Sequence, residues 1–277
     1  DAILVFGLTG VGKSTFISRL TQSTSNIGHS LTSCTKDVEG HLITRSNGQQ
    51  IYLIDTPGFD DTEEDDAQFF SRLAILLYTF YERDCIHVKG MLYLHRISDV
   101  RMSGSSIKSL RFFEKMCGEG NFPAVVVVTT MWKMTTPELG AERERSLESM
   151  PEFFGRIING GGRMIRHDNT PENALKIFEL LASRHGSIVL DVQKEMVDEG
   201  MPLIDTAAGR CLMEDSDNTR ARYETQLKKL KEALKEAEGE EEDDIASTIS
   251  ENQKEYEEHL RKESVRKENL SLSIEQM

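Results

Sequence analysis

The stretch Gly7-Leu8-Thr9-Gly10-Val11-Gly12-Lys13-Ser14 constrains this chain more than any other part of it. It reads as glycine, a spacer, then Gly-Lys-Ser, and it lies between an apolar run, Ala2 to Phe6, and a helical stretch, Ser14 to Leu20. Strand, glycine-rich turn and helix in that order make a phosphate-binding loop. The glycines let the backbone close around phosphate oxygens. The amides of Thr9, Gly10, Val11 and Gly12 then form an anion nest at the helix N-terminus. Lys13 is placed to reach the outer phosphates, Ser14 to ligate Mg2+, and Thr15 to touch the first phosphate. The ligand this predicts is a purine nucleoside triphosphate carrying Mg2+.

A second motif supports the first. Asp55-Thr56-Pro57-Gly58 follows the apolar run Ile51 to Ile54. An aspartate at a strand end can hold a magnesium-bound water, and the Gly58 amide can meet the terminal phosphate. A loop between the two motifs must add a threonine to the metal. Thr35 is the chosen residue and Thr32 its competitor.

The rest of the chain alternates strands and helices. Strands are expected at His41 to Thr44, Ile51 to Ile54, Gly90 to His95, Ala124 to Thr129 and Arg163 to Arg166. Helices are expected at Ala67 to Tyr81, Ile107 to Met116, Pro137 to Ile158 (broken near Pro151) and Pro171 to Ala182. Thr21 to Thr35 reads as a loop. Four consecutive valines, Val125 to Val128, mark a parallel strand buried on both faces. This is an α/β pattern, a doubly wound, mostly parallel sheet. From Ala221 the pattern changes: Tyr223, Leu227, Leu230, Leu234 and Ala237 form a heptad seam. The division drawn is residues 1–210 as the nucleotide-binding domain and residues 211–277 as a helical coiled-coil arm, with a single solvated helix as the alternative.

Charge and cysteines narrow the function. With 33 Lys and Arg against 47 Asp and Glu, the net charge of -14 disfavours nucleic acid as a partner. The four cysteines stand far apart, so neither a zinc site nor a disulfide framework is expected, and a reducing, cytoplasmic setting fits. No apolar run approaches the ~18 residues of a membrane span.

These motifs resemble the translation-factor-like class of P-loop GTPases, which have a Ras-like fold. Asp55-Thr56-Pro57-Gly58-Phe59-Asp60-Asp61 is most similar to the septin, Toc and AIG1 (immune-associated GTPase) branch. Tyr93-Leu94-His95-Arg96-Ile97-Ser98-Asp99 and Thr129-Thr130-Met131-Trp132 resemble AIG1-like G-domain proteins of filamentous fungi. The resemblance covers about residues 1 to 185 and implies magnesium-dependent GTP binding and hydrolysis. Two departures stand out. GTPases of this class read guanine with Asn-Lys-x-Asp, and here Trp132 falls at the aspartate. Thr130 and Trp132 are assigned to the base site, Trp132 either stacking on the purine or serving as a core residue. His167 and Asp168 are assigned there too, Asp168 either supplying the carboxylate or capping the next helix. Phe59 stands where Ras-type proteins orient water with glutamine, so hydrolysis is expected to be slow. His95, Arg96 and Arg101 are the candidates to complete it, in the chain or across a homodimer formed through the nucleotide face, with structural ion pairs as the alternative.

The leading expectation is thus a nucleotide-switched hydrolase, GTP favoured over ATP. The runner-up is a nucleotide-binding assembly module with negligible turnover, whose coiled coil recruits a protein partner. A kinase is the weakest reading, because no second basic cluster or acceptor lid is apparent.

Overall fold

A computed structural model describes residues 1–22, 27–29, 39–56 and 66–214, together with scattered helical positions between residues 217 and 271. Seven strands form one sheet: β1 (Ala2–Phe6), β2 (Ile27–His29), β3 (Glu39–Thr44), β4 (Gln50–Asp55), β5 (Val88–Arg96), β6 (Val125–Thr130) and β7 (Arg163–Arg166). Their spatial order is β2-β3-β4-β1-β5-β6-β7. β4, β1, β5, β6 and β7 run parallel, and β2 and β3 add an antiparallel edge. The doubly wound, mostly parallel sheet is therefore present. The expectation of a continuous loop from Thr21 to Thr35 needs correcting, because Ile27–His29 pairs with His41–Ile43 as the edge strand. Three residues with a glycine at their centre carry too little apolar pattern to announce a strand; pairing with β3 makes them one.

Side-chain alternation explains why the sheet is covered on both faces. Along β1, Ala2, Leu4 and Phe6 enter one apolar cluster, while Ile3 and Val5 enter the other. β6 does the same, with Val125 and Val127 on one face and Val126 and Val128 on the other. The first face is covered by α2 (Asp66–Glu82), α3 (Gly104–Cys117) and α7 (Asp191–Val197). The second is covered by α1 (Lys13–Gln22) and α6 (Pro171–Ala182). Between α3 and β7 the chain adds α4 (Pro137–Ser149) and α5 (Gly155–Asn159), the expected helix with its break. Caps set the boundaries. Ser103 accepts from the Ser106 amide ahead of α3, and Thr170 accepts from the Asn173 amide ahead of α6, where Pro171 takes the first turn.

α7 had no clear signal in the sequence, being a seven-residue helix. Gln193 locks it in place, its buried carboxamide donating to the Leu77 carbonyl of α2 at 2.8 Å and accepting from the Leu190 amide at 3.0 Å. Residues 207–214 are helical and run through the division drawn at 210/211. Cys211, Leu212 and Met213 are buried there, and Leu270, at 0% exposure, belongs to the same apolar cluster as Leu212 and Met213. The heptad positions Tyr223, Leu227, Leu230, Leu234 and Ala237 lie outside the described residues. Among the described residues no helix is long and apolar enough to cross a membrane.

Candidate functional site

The parallel strands all end on one edge of the sheet, and the described residues of the two phosphate motifs lie there. The carboxyl edge of such a sheet is where ligands bind in open α/β folds. Immediately after β1 the chain turns through Gly7, Gly10 and Gly12, with φ of 142°, 78° and 97°. These values favour glycine. At Gly7 the need is also steric, since a Cβ there would stand 2.5 Å from the Leu94 carbonyl of β5. The turn then opens directly into α1, whose first hydrogen bond runs from the Phe16 amide to the Gly12 carbonyl at 2.9 Å.

Lys13 heads α1 and is buried, with Nζ donating to the carbonyls of Gly7 at 2.9 Å and Leu8 at 3.1 Å. The ammonium is thereby held over the loop. Ser14 and Thr15 are exposed beside it. Asp55 ends β4, with its Oδ1 buried, and Thr56 fastens the end of that strand to β1 by a 2.7 Å bond from Oγ1 to the Val5 carbonyl. The Ser14 hydroxyl and the Asp55 carboxylate are hard oxygen donors of the kind Mg2+ takes alongside substrate phosphates, so the residues present fit that ion. Thr35, Thr32, Gly58, Phe59, Asp60 and Asp61 lie outside the described residues.

A cavity of about 450 Å³ opens next to the loop, lined by Gly12, Thr15, Thr130, Met131, Trp132, Lys133, Met134, His167, Asp168 and Asn169. It brings together every residue that the sequence assigned to the base. Thr130 ties the cavity wall to the phosphate loop, its buried hydroxyl donating to the Val11 carbonyl at 2.7 Å. His167 is buried, with Nδ1 2.9 Å from the Asn173 Oδ1, which places the ring proton on Nδ1; burial lowers its pKa. Asp168 lines the cavity and also clasps the approach to α6. Its Oδ1 accepts from the Thr170 amide at 2.9 Å and the Thr170 hydroxyl at 2.6 Å, and these bonds hold its carboxyl below the usual range.

Trp132 is a half-buried pillar of the wall rather than an open stacking platform. Its indole N–H donates to the Thr129 carbonyl at 3.1 Å and the Thr129 hydroxyl at 3.0 Å. The Arg166 guanidinium sits 4.2 Å from the ring centroid and is itself paired with Glu144 of α4. Gly140 lets α4 pass close, since a Cβ there would stand 2.6 Å from the indole Cζ3. Lys133, Met131, Met134 and Asn169 were missed as lining residues. The left-handed backbone at Met131 (φ 58°) turns the chain so that Met131 to Met134 face one cavity, and nothing in the residue types announces that turn.

The proposed completing residues are divided by the structure. Arg96 lies beside the phosphate loop, its Nη1 3.7 Å from where a Cβ of Gly10 would stand, and its Nε is bonded to Asp99. His95 does not line that cavity. It lines a neighbouring groove of about 590 Å³ with Asp99, Arg101, Met102 and Phe153. Only 5% exposed and packed edge-on against Phe154, its imidazole is pushed down to about 4 by burial, so it is neutral at neutral pH.

The match to a family model agrees with this geometry. Residues 2–119 match the family model described as 50S ribosome-binding GTPase, a span that ends with α3 and holds both the phosphate loop and Asp55. The fold is that of a Ras-like P-loop GTPase. Solved structures of similar shape include Toc33 of Arabidopsis thaliana in complex with Mg2+ and GMPPNP, at 16% identity and a TM-score of 0.49, covering 68% of this chain and 86% of that one. Toc33 with GDP and Mg2+ gives 17% identity and 0.49, covering 69% and 87%. The G domain of the FeoB iron transporter of T. maritima gives 13% and 0.40, covering 66% and 98%. Comparison with curated proteins gives no match.

Proposed function

We propose that this G domain binds GTP with Mg2+ and hydrolyses its terminal phosphate, with the loops around Thr35 and Gly58 switching on the bound nucleotide. One observation carries the reading. Three glycines in left-handed or near-left-handed backbone, with Lys13 at the head of α1, form an anion cradle beside a cavity large enough for a nucleobase. Mg2+, when bound, neutralises phosphate charge; Ser14 and Asp55 hold it, with Thr35 completing the set. Lys13 supplies fixed positive charge at the outer phosphates, and the loop amides hold the phosphate chain in line. Phe59 cannot orient water by a hydrogen bond, so turnover is slow. Arg96, beside Gly10, and Arg101 are the cations available to speed it, the latter across a homodimer through the nucleotide face.

The motifs around Asp55, Tyr93 and Thr129 support placement in the septin, Toc and AIG1-like branch, near its fungal members. Residues 211–277 are proposed as a helical extension that recruits a protein partner, in a cytoplasmic setting. A second reading, nucleotide-driven assembly without turnover, is favoured by Phe59 and by a neutral His95 that lines the neighbouring groove. Phosphate release from GTP by purified protein, with and without Mg2+, decides between them. Magnesium-dependent release supports the hydrolase, and tight binding with no release supports the assembly module. Absence of GTP binding refutes both.

A further inference from the structure

The walls of the nucleotide cavity carry several polar side chains, but most are already committed. The Thr130 hydroxyl is spent on the Val11 carbonyl and the Trp132 indole N–H on Thr129. His167 Nδ1 is turned to Asn173, while its Nε2 is buried with no hydrogen-bond partner and, as a lone-pair acceptor, can meet a ring N–H but neither O6 nor N7. Asp168 holds Thr170 with two bonds to one oxygen, and Asn169 Oδ1 accepts from Arg19 Nε at 3.2 Å. Lys133 differs. It is exposed, lines the cavity, and has no ion pair or hydrogen bond from its side chain among the described residues. Met131 and Met134 flank it with apolar, polarisable surface suited to a ring.

Resting on the GTP-binding reading above, we infer that Lys133 reads the base, and that it does so through ring acceptors rather than through an amino group. An ammonium has three donors and no acceptor. A 6-oxopurine presents two neighbouring acceptors on one edge, O6 and N7. Adenine presents N7 beside the N6 amino donor, which opposes a second donor. The 2-amino group of guanine is normally read by a carboxylate, and Asp168 is oriented by Thr170 through its Oδ1 as a loop clasp. The ligand class is therefore 6-oxopurine triphosphates as a group, with inosine as acceptable as guanine.

The test is competition of GTP, ITP and ATP against one ribose-labelled fluorescent triphosphate, on the full chain with Mg2+. GTP and ITP are expected to bind within about threefold of each other, and ATP about tenfold more weakly, the scale of one charge-assisted hydrogen bond at a partly wet site. Lys133→Met, which keeps the apolar stem, brings all three to one level, and Lys133→Arg restores the preference. ITP binding tenfold or more below GTP overturns the inference and transfers the reading to the second oxygen of Asp168. A GTP preference that survives in Lys133→Met overturns it as well. If the three nucleotides bind the wild type alike, this inference falls and the phosphate site stands. If none binds, the phosphate-site reading falls with it.

Discussion

The bond from Thr130 to the phosphate loop offers a direct measure of how far the end of β6 prearranges that loop. Thr130→Val keeps the branched shape and removes one hydroxyl. That hydroxyl has a single proton and two carbonyls in range, Val11 at 2.7 Å and His95 at 3.3 Å; the shorter is the bond that counts. Without it the Val11 carbonyl, on a buried residue, loses its side-chain donor, a cost of about 1–3 kcal/mol. In the free protein the loop recovers part of that energy by relaxing towards water. Nucleotide binding needs the tight loop back, so what relaxation recovered reappears as lost affinity. The ceiling is a Kd weakened about fivefold at 1 kcal/mol to about 150-fold at 3 kcal/mol. Titration of GTP and ATP by calorimetry, beside thermal unfolding of the nucleotide-free protein, separates the two shares. Both nucleotides are expected to weaken by the same factor, because the bond acts on the phosphate loop and not on the base. Thr130→Ser is expected to recover most of the loss. Unchanged affinity with a lowered unfolding temperature would show that the bond only stabilises the fold, and a loss confined to GTP would show that Thr130 touches the base.

Lys13→Ala is expected to abolish tight binding of every triphosphate, a loss of about 3 kcal/mol or more from charge-assisted contacts in a partly dry site, read by fluorescent-nucleotide titration. His95 adds a pH dependence of definite sign. Its folded pKa of about 4 lies below the ordinary 6.5, so the unfolded chain binds the proton first as pH falls. Its contribution is fully present above about pH 6.5 and is lost, by roughly 3 kcal/mol, as pH drops towards 4. Denaturant melts of wild type and His95→Phe over that range test it, with the variant expected to be less acid-sensitive by that amount. Leu270→Ala is expected to destabilise the protein by about 2–5 kcal/mol while leaving nucleotide affinity intact, since it removes a fully buried leucine that does not line the cavity beside the loop. A change within 0.5 kcal/mol in chemical denaturation would show that the extension does not pack on the domain.

The architecture was legible because its signals are local. Val125 to Val128 announce a strand buried on both faces, and the alternation between the two clusters follows from it. Pro171 marks the start of a helix as its first-turn proline, and it is found there, with Thr170 as the cap in place of Asp168, which instead holds Thr170. β2 and α7 were not legible for the opposite reason. Three residues around Gly28 form a strand only because β3 lies alongside, and α7 is fixed by Gln193 reaching to α2, a contact more than a hundred residues away in sequence. The division at 210/211 was drawn from a change in composition, which does not reveal that Leu212 and Leu270 share a cluster.

The site divides along a similar line. The phosphate cradle was legible because its chemistry belongs to the backbone: glycines at fixed spacing dictate the turn, and the turn dictates where the amides point. The residues assigned to the base share one cavity, but residue type did not reveal which of their atoms the fold has already bonded. Trp132 shows why. Its composition offers an aromatic face and one donor. The fold spends the donor on Thr129, sets Arg166 over the ring and brings α4 against it through Gly140. Asp168 likewise offers a carboxylate of which Thr170 has already claimed Oδ1. Lys133 was overlooked because a surface lysine is common. What distinguishes it is that the other donors facing the cavity from Thr130 and Trp132 are spent on the chain itself, which only the hydrogen-bond pattern of the folded chain shows. What a cavity of this kind can recognise is set less by which polar residues are present than by which of them the fold leaves uncommitted.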